Sequence, residues 1–155
     1  MPELPVFTVA DLEAQPPLDV DAFVNDDAVD LGVTAIEVIR QRHLNLAVRV
    51  VLRGDIVFQA KLRETGPEND EWLAGKAAVV ERFGEPSLLV RRRHEEAGTP
   101  FGERDDVDHD ALRAHGGSLP IRVAGELVGT ITVSGEPDVI DHEVATEAVR
   151  RFRAR

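Results

Sequence analysis

Toward the C-terminal end of the chain, His115, Gly116, Gly117, Ser118, Ser134, Asp141 and His142 carry the groups best suited to chemistry. His115-Gly116-Gly117-Ser118 can present successive backbone amides to a carboxylate, with His115 as a ligand or an acid/base group. The same four residues also suit a turn whose glycines supply backbone angles before a strand, with His115 bonded to a carbonyl. Asp141-His142 could orient a ligand or metal, since a carboxylate can hold an imidazole in one tautomer. Adjacent helical residues do not face each other, so Asp141 is better placed to serve His115 than His142. A helix N-terminal cap is the other role open to Asp141.

Two strands, Leu119 to Ala124 and Leu127 to Ser134, must position these groups, joined by a Gly125-Glu126 turn and left through Ser134-Gly135. A tight hairpin would bring both glycine-bearing ends to one edge of a sheet. A helix then opens at Asp138. At about 100° per residue, Ile140, Val144, Ala148 and Phe152 climb one face, widened by Ala145 and Val149. Asp141 falls near the middle of that apolar arc and His142 at its border. A carboxylate so placed needs hydrogen bonds, because burying an unpaired charge is costly. The nearest donors are the amides of its own helix start and of the Ser134-Gly135 turn.

Upstream, residues 1 to 18 form an arm with Pro2, Pro5, Pro16 and Pro17 around a short helix over Thr8 to Gln15, capped by Thr8. Leu18 to Phe23 alternates as a short edge strand does. Asn25 is expected to cap a helix with Val29, Gly32, Ala35, Ile36 and Ile39 at helical spacing. Leu46 to Arg53 and Ile56 to Leu62 suit a hairpin turning at Gly54-Asp55. Glu68 to Phe83 reads as a helix ended by Gly84. Glu85-Pro86-Ser87 starts another that stops at Gly98, followed by a loop from Thr99 to Asp110. This order predicts a single α+β domain over residues 1–155, with a five-stranded antiparallel sheet and helices on its faces.

Composition removes several classes of function. The chain has 155 residues, a formal net charge of −11, no Cys and no Tyr. Disulfides, thiolate nucleophiles, Cys-bound zinc and iron–sulfur clusters are therefore excluded. An acidic surface repels phosphate backbones, which argues against nucleic acid as a partner. No apolar run approaches a bilayer's thickness, so no membrane span is expected. The first twenty residues lack a basic start and an apolar segment, so no secretory signal is expected and a cytoplasmic location is the simplest expectation. Lys61 and Lys76 are the two lysines open to Schiff-base chemistry.

Other candidates read as structural. Arg91-Arg92-Arg93-His94 could clamp an anion, but Glu95-Glu96 follows and suits ion pairing on a solvated face. His43 sits at a helix end, where it complements the dipole. His109 lies among Asp106, Asp108 and Asp110 without the calcium-loop pattern. Trp72 suits a core or interface anchor, with stacking on a flat ligand as the alternative. No nucleophile elbow, phosphate loop, dinucleotide fingerprint or His-Glu-x-x-His sequence is present, and no catalytic residue or metal set is assigned.

Five blocks occur in an order that resembles a bacterial and fungal branch of the haem-degrading (GlcG/HbpS-like) domain family. They are AsnAspAspAlaValAspLeuGly at 25–32, GluAsnAspGluTrpLeuAlaGlyLys at 68–76, HisGlyGlySerLeuProIle at 115–121, ValGlyThrIleThrValSerGly at 128–135 and AspHis at 141–142. Leu112, Leu119 and Glu136 depart from that branch. The resemblance implies a profilin-like α/β/α sandwich, assembly into homo-oligomers, and haem as the candidate cofactor. With Met1 the sole Met, an axial ligand would be His or an oxygen donor. Three functions follow: a homo-oligomeric haem-associated binding protein holding its ligand with His115, Gly116, Gly117, Ser118, Ser134, Asp141 and His142; a small enzyme acting on a carboxylated metabolite; or an interaction module without a ligand.

Overall fold

A computed structural model describes residues 3–155; Pro2, placed above in the proline-rich arm, lies outside them. The elements are α1 (Val9–Glu13), β1 (Leu18–Val20), α2 (Asn25–Gln41), β2 (Ala47–Leu52), β3 (Asp55–Lys61), α3 (Glu68–Phe83), α4 (Ser87–Glu96), β4 (Ser118–Val123), β5 (Glu126–Ser134) and α5 (Asp138–Ala154). A short 3-10 turn, Phe101–Glu103, interrupts the loop after α4. Nearly every element thus lies where apolar periodicity and its breakers placed it.

The sheet has five strands in the order β1-β4-β5-β2-β3. Its β2–β3, β2–β5 and β4–β5 pairs are antiparallel, but β1 runs parallel to β4, with Leu18 opposite Ile121. The sheet is therefore mixed, which corrects the all-antiparallel expectation. Tight turns dictate direction only between strands that follow each other in the chain. β1 joins a strand about a hundred residues away, and no local pattern sets the sense of that pairing.

Both hairpin turns sit one residue earlier than expected. Leu52 pairs with Asp55 and Val123 with Glu126, so the loops are Arg53-Gly54 and Ala124-Gly125. All four loop residues have positive φ, at 51°, 82°, 49° and 81°. That is the geometry of the type I′ turn, whose twist matches the strands it joins, and it draws glycine to the second central position.

Alternation along β5 separates the two faces. Ile131 and Val133 enter the main core with Leu31, Val38 and Ile39 of α2 and Val144, Ala148 and Phe152 of α5. Thr130, Thr132 and Ser134 are equally buried but point the other way, where α3 packs across β4 and β5. One side of the sheet is hydrocarbon, and the other carries hydroxyls that need partners. On α2, Val29 is exposed while Ala28 and Leu31 are buried, so the apolar stripe is rotated from the one expected. Asn25 is the first helical residue rather than the cap, and the Val24 amide donates to the Asp27 carboxylate at 2.8 Å. Thr8 caps α1 as expected, in a reciprocal exchange with Asp11.

The arm is docked. Phe7, Val9 and Leu12 pack on Leu88 and Leu89 of α4 and Val139 of α5. The acidic loop is docked as well: His109 meets Phe101 edge-on at 5.6 Å, and Phe101 packs with Val79, Val90 and Ala114.

Candidate functional site

The His-Gly-Gly-Ser segment crosses the start of α5 so closely that glycine is required. A Cβ on Gly116 would stand 2.4 Å from the Asp138 carbonyl oxygen; one on Gly117, where φ is +131°, would stand 2.5 Å from the Val133 carbonyl oxygen. The Gly116 amide donates to the Asp138 carboxylate at 2.9 Å, and the Ser118 amide donates to Ser87 Oγ at 3.0 Å. The Gly116 and Ser118 amides are thus occupied by the protein's own acceptors. Ser118 Oγ is bonded to Thr132 Oγ1 at 2.8 Å, and the Ser134 carbonyl accepts from Asn69 Nδ2 at 3.2 Å. Both serines are buried constituents of the polar side of the sheet.

Asp141 lies on the inward face of α5, 1% exposed, as the angular argument required. It does not serve His115. Its Oδ2 accepts from Lys76 Nζ at 2.8 Å, and its Oδ1 accepts from the Glu136 amide, directly after the Ser134-Gly135 turn, at 3.1 Å; a donor at that turn is expected from the sequence and the lysine is not. Lys76 is 2% exposed and also donates to the Val133 carbonyl at 3.0 Å. Burial pushes the Asp141 carboxyl up to about 6 against the pull of Lys76. This buried pair clasps α3, the end of β5 and the start of α5, and Gly117 passes beside the ammonium.

His142 belongs to a third environment. It is fully buried, its Nε2 is bonded to Gln15 Oε1 at 2.8 Å, and Phe7 meets its ring edge-on at 4.9 Å. With Gln15 Oε1 accepting, Nε2 carries the proton and Nδ1 is a buried acceptor without a donor. Burial, reinforced by Arg92 and opposed by Asp138, holds its pKa down to about 4. Gly116 and Gly117 thus pack against His142 and Asp141 at the start of α5, while the polar groups of those two side chains turn to Gln15 and Lys76.

What does meet His115 is Asp138, one turn earlier than the carboxylate expected to meet it. Asp138 Oδ2 lies 4.0 Å from His115 Nδ1 and forms an ion pair with Arg91. Trp72 approaches the imidazole edge-on with centroids 5.1 Å apart, and the Arg113 guanidinium lies 4.5 Å over the indole. The His115 side chain is 46% exposed, and neither ring nitrogen has a hydrogen-bond partner among the described residues. Burial and Arg91 lower its pKa, with Asp138 opposing, so near pH 7 the ring is neutral and can act as a ligand. Among the described residues, no group of three or more His, Asp or Glu could hold a metal ion, and no helix is long and apolar enough to cross a membrane. Trp72 and Arg91 come from α3 and α4, remote in sequence, and nothing in their spacing links them to His115, whereas Arg113 stands two residues before it.

The class is thus an α+β domain with a five-stranded mixed sheet and helices on both faces. Residues 23–150 match the family described as haem degrading protein HbpS-like, and the chain belongs to that family. It is 46% identical over 147 residues to a UPF0303 protein of Streptomyces coelicolor, covering 94% of this chain and 93% of the relative. Its fold matches the crystal structure of Ybr137w with a TM-score of 0.85 at 22% identity, covering 96% of this chain and 90% of that one. It also matches PduOC, solved as a haem complex, with a TM-score of 0.70 at 18% identity, covering 83% of this chain and 94% of that one.

Proposed function

We propose that the protein is a haem-associated binding protein in which His115 would hold the iron. The observation that carries this reading is the His115 imidazole, neutral near pH 7, partly exposed, and without a partner for either nitrogen. Its surroundings suit the group: the Trp72 indole borders the ring, and the Arg91 and Arg113 guanidiniums are cations for propionates. Haem bound there would supply iron and a redox-active macrocycle, while the chain's own residues bind and orient it. The haem complex of a structural relative supports the reading. The carboxylate-processing alternative needed the glycine amides, and the Gly116 amide is taken by the Asp138 carboxylate.

Titrating the protein with haemin and following the Soret band tests this. Wild type should give a saturable shift at one haem per chain, and His115→Ala should lose it with unchanged thermal stability. No shift in wild type, or the same shift in His115→Ala, overturns the assignment.

Self-assembly is part of the proposal. Val29 and Val33 expose one stripe of α2, at 39% and 43%, and Ile56 on the edge strand β3 is 51% exposed. Apolar surface of this kind marks contact faces when it is contiguous. Sedimentation velocity should show an oligomer that Val33→Glu dissociates; a monomeric wild type would refute it.

A further inference from the structure

A groove of about 980 Å³ lies elsewhere, between the N-terminal arm and α4 on one side and α5 on the other. It exists because β1 is short. β1 pairs only with Ile121–Val123, so the stretch Ser118–Pro120 of β4 has no strand beside it on that edge. Pro120 offers no N–H there, which suits an edge that pairs with no strand. Leu18, Leu119, Pro120 and Val149 line the groove together with Leu12 of the arm and Leu89 of α4. The volume falls within the usual range for small-molecule sites, roughly 300–1,000 Å³.

The charges around it do not balance. Six arginines and four glutamates line the groove, and no other ionised side chain does, a local excess of two positive charges in a chain of net charge −11. Arg42 pairs with Glu143, Arg93 with Glu13 and Glu85, and Arg150 and Arg151 share Glu147. Arg122 and Arg153 have no carboxylate within ion-pair distance among the described residues. Arg122 is held in place by two carbonyls, Gly84 O at 2.7 Å and Gly125 O at 3.0 Å. Of the five N–H donors on a guanidinium, three are left without a protein acceptor. A partly buried, immobilised cation with unused donors beside hydrocarbon is a site for an anion that carries its own apolar body.

We propose that this groove binds an amphipathic organic carboxylate, its head on Arg122 with Arg153 at the rim and its tail on the leucines of the floor. His115 is not among the lining residues, so the site is independent of the haem assignment. Calorimetry with dodecanoate below its micelle concentration tests it, with dodecanol and acetate as tail-only and head-only probes. Wild type should bind one dodecanoate saturably, and dodecanol and acetate at least tenfold more weakly. Arg122→Gln should weaken dodecanoate at least tenfold while leaving the haemin titration as in wild type. If Arg122→Gln does not fold, Arg153→Gln, at an exposed position, should weaken dodecanoate at least threefold. No saturation in wild type, equal affinity for dodecanol, or undiminished binding in the folded variant overturns the proposal.

Discussion

Asp138 and Asp141 stand three residues apart at the start of one helix, and their acidities move in opposite directions. Burial would raise both. At Asp138 the Gly116 amide and Arg91 outweigh it, and the carboxyl is held below its usual range; at Asp141 burial prevails over Lys76 and the carboxyl rises to about 6. The difference is solvent. Asp138 keeps a 16% exposed side chain near the surface, where one guanidinium and one amide suffice, whereas the Asp141 side chain, 1% exposed, is sealed where the start of α5 meets Lys76 of α3. A buried pair of opposite charges must recover a large desolvation cost, so it is a weaker support than its short distance suggests. Position on a helix decides which fate a carboxylate meets.

Breaking the buried pair should have the largest effect. Lys76→Met takes from Asp141 the cation that holds its pKa down, so the buried carboxyl must take up a proton or lose its compensation, and the variant should cost about 3–5 kcal/mol in urea unfolding at pH 7. The double variant Lys76→Met/Asp141→Leu should recover most of that loss, because two apolar side chains need no partner. A double variant as unstable as the single one would show that the ion pair itself holds the helix in place.

Acid titration sharpens the contrast next. Asp141, with its folded pKa raised from 3.8 to about 6, contributes stability that is complete below pH 3.8 and fades as pH rises through 6. His142, lowered from 6.5 to about 4, contributes stability that is complete above pH 6.5 and fades as pH falls through 4. Between pH 4 and 6 the two neighbours therefore oppose each other. Relative to wild type, His142→Phe should remove an acid-sensitive contribution on the order of 3 kcal/mol, and Asp141→Asn should tilt the pH profile the other way. Denaturant midpoints from pH 4 to 7 measure both, and parallel profiles would discard the assignment.

The smallest effect is expected at the exposed end. Asp138→Asn keeps an acceptor for the Gly116 amide but loses the charge facing Arg91, and should cost about 1 kcal/mol. Because Asp138 is the carboxylate that raises the His115 pKa, the variant should lower that pKa further. An NMR titration of His115 checks this, and a rise would mean that another acid governs the ring.

Much of the architecture was readable from residue patterns. Glu68–Phe83 and the strands around Gly54 and Gly125 follow from periodicity and from turn residues, which act over a few neighbours. The inward position of Asp141 followed from helical angles alone. Lys76 was visible as one of two lysines and as the end of the block at 68–76, but not as the partner of Asp141, because the two lie 65 residues apart and no local rule connects them. His142 looked like a border residue, and the arm residues Phe7 and Gln15 cover it from the far end of the chain.

Local chemistry in the chain thus determined the elements and the hydrophobic face of α5, whereas the close crossing that requires glycine at Gly116 and Gly117 came from tertiary packing. Tertiary packing alone decided the parallel sense of β1, the choice of Asp138 over Asp141 beside His115, and the separation of three polar centres that lie close together in sequence. Hydrogen bonds and torsions within a turn depend on adjacent residues, so composition encodes them. Burial and charge pairing depend on which distant segments exclude water from a given atom, and that is defined only once the helices have closed over the sheet.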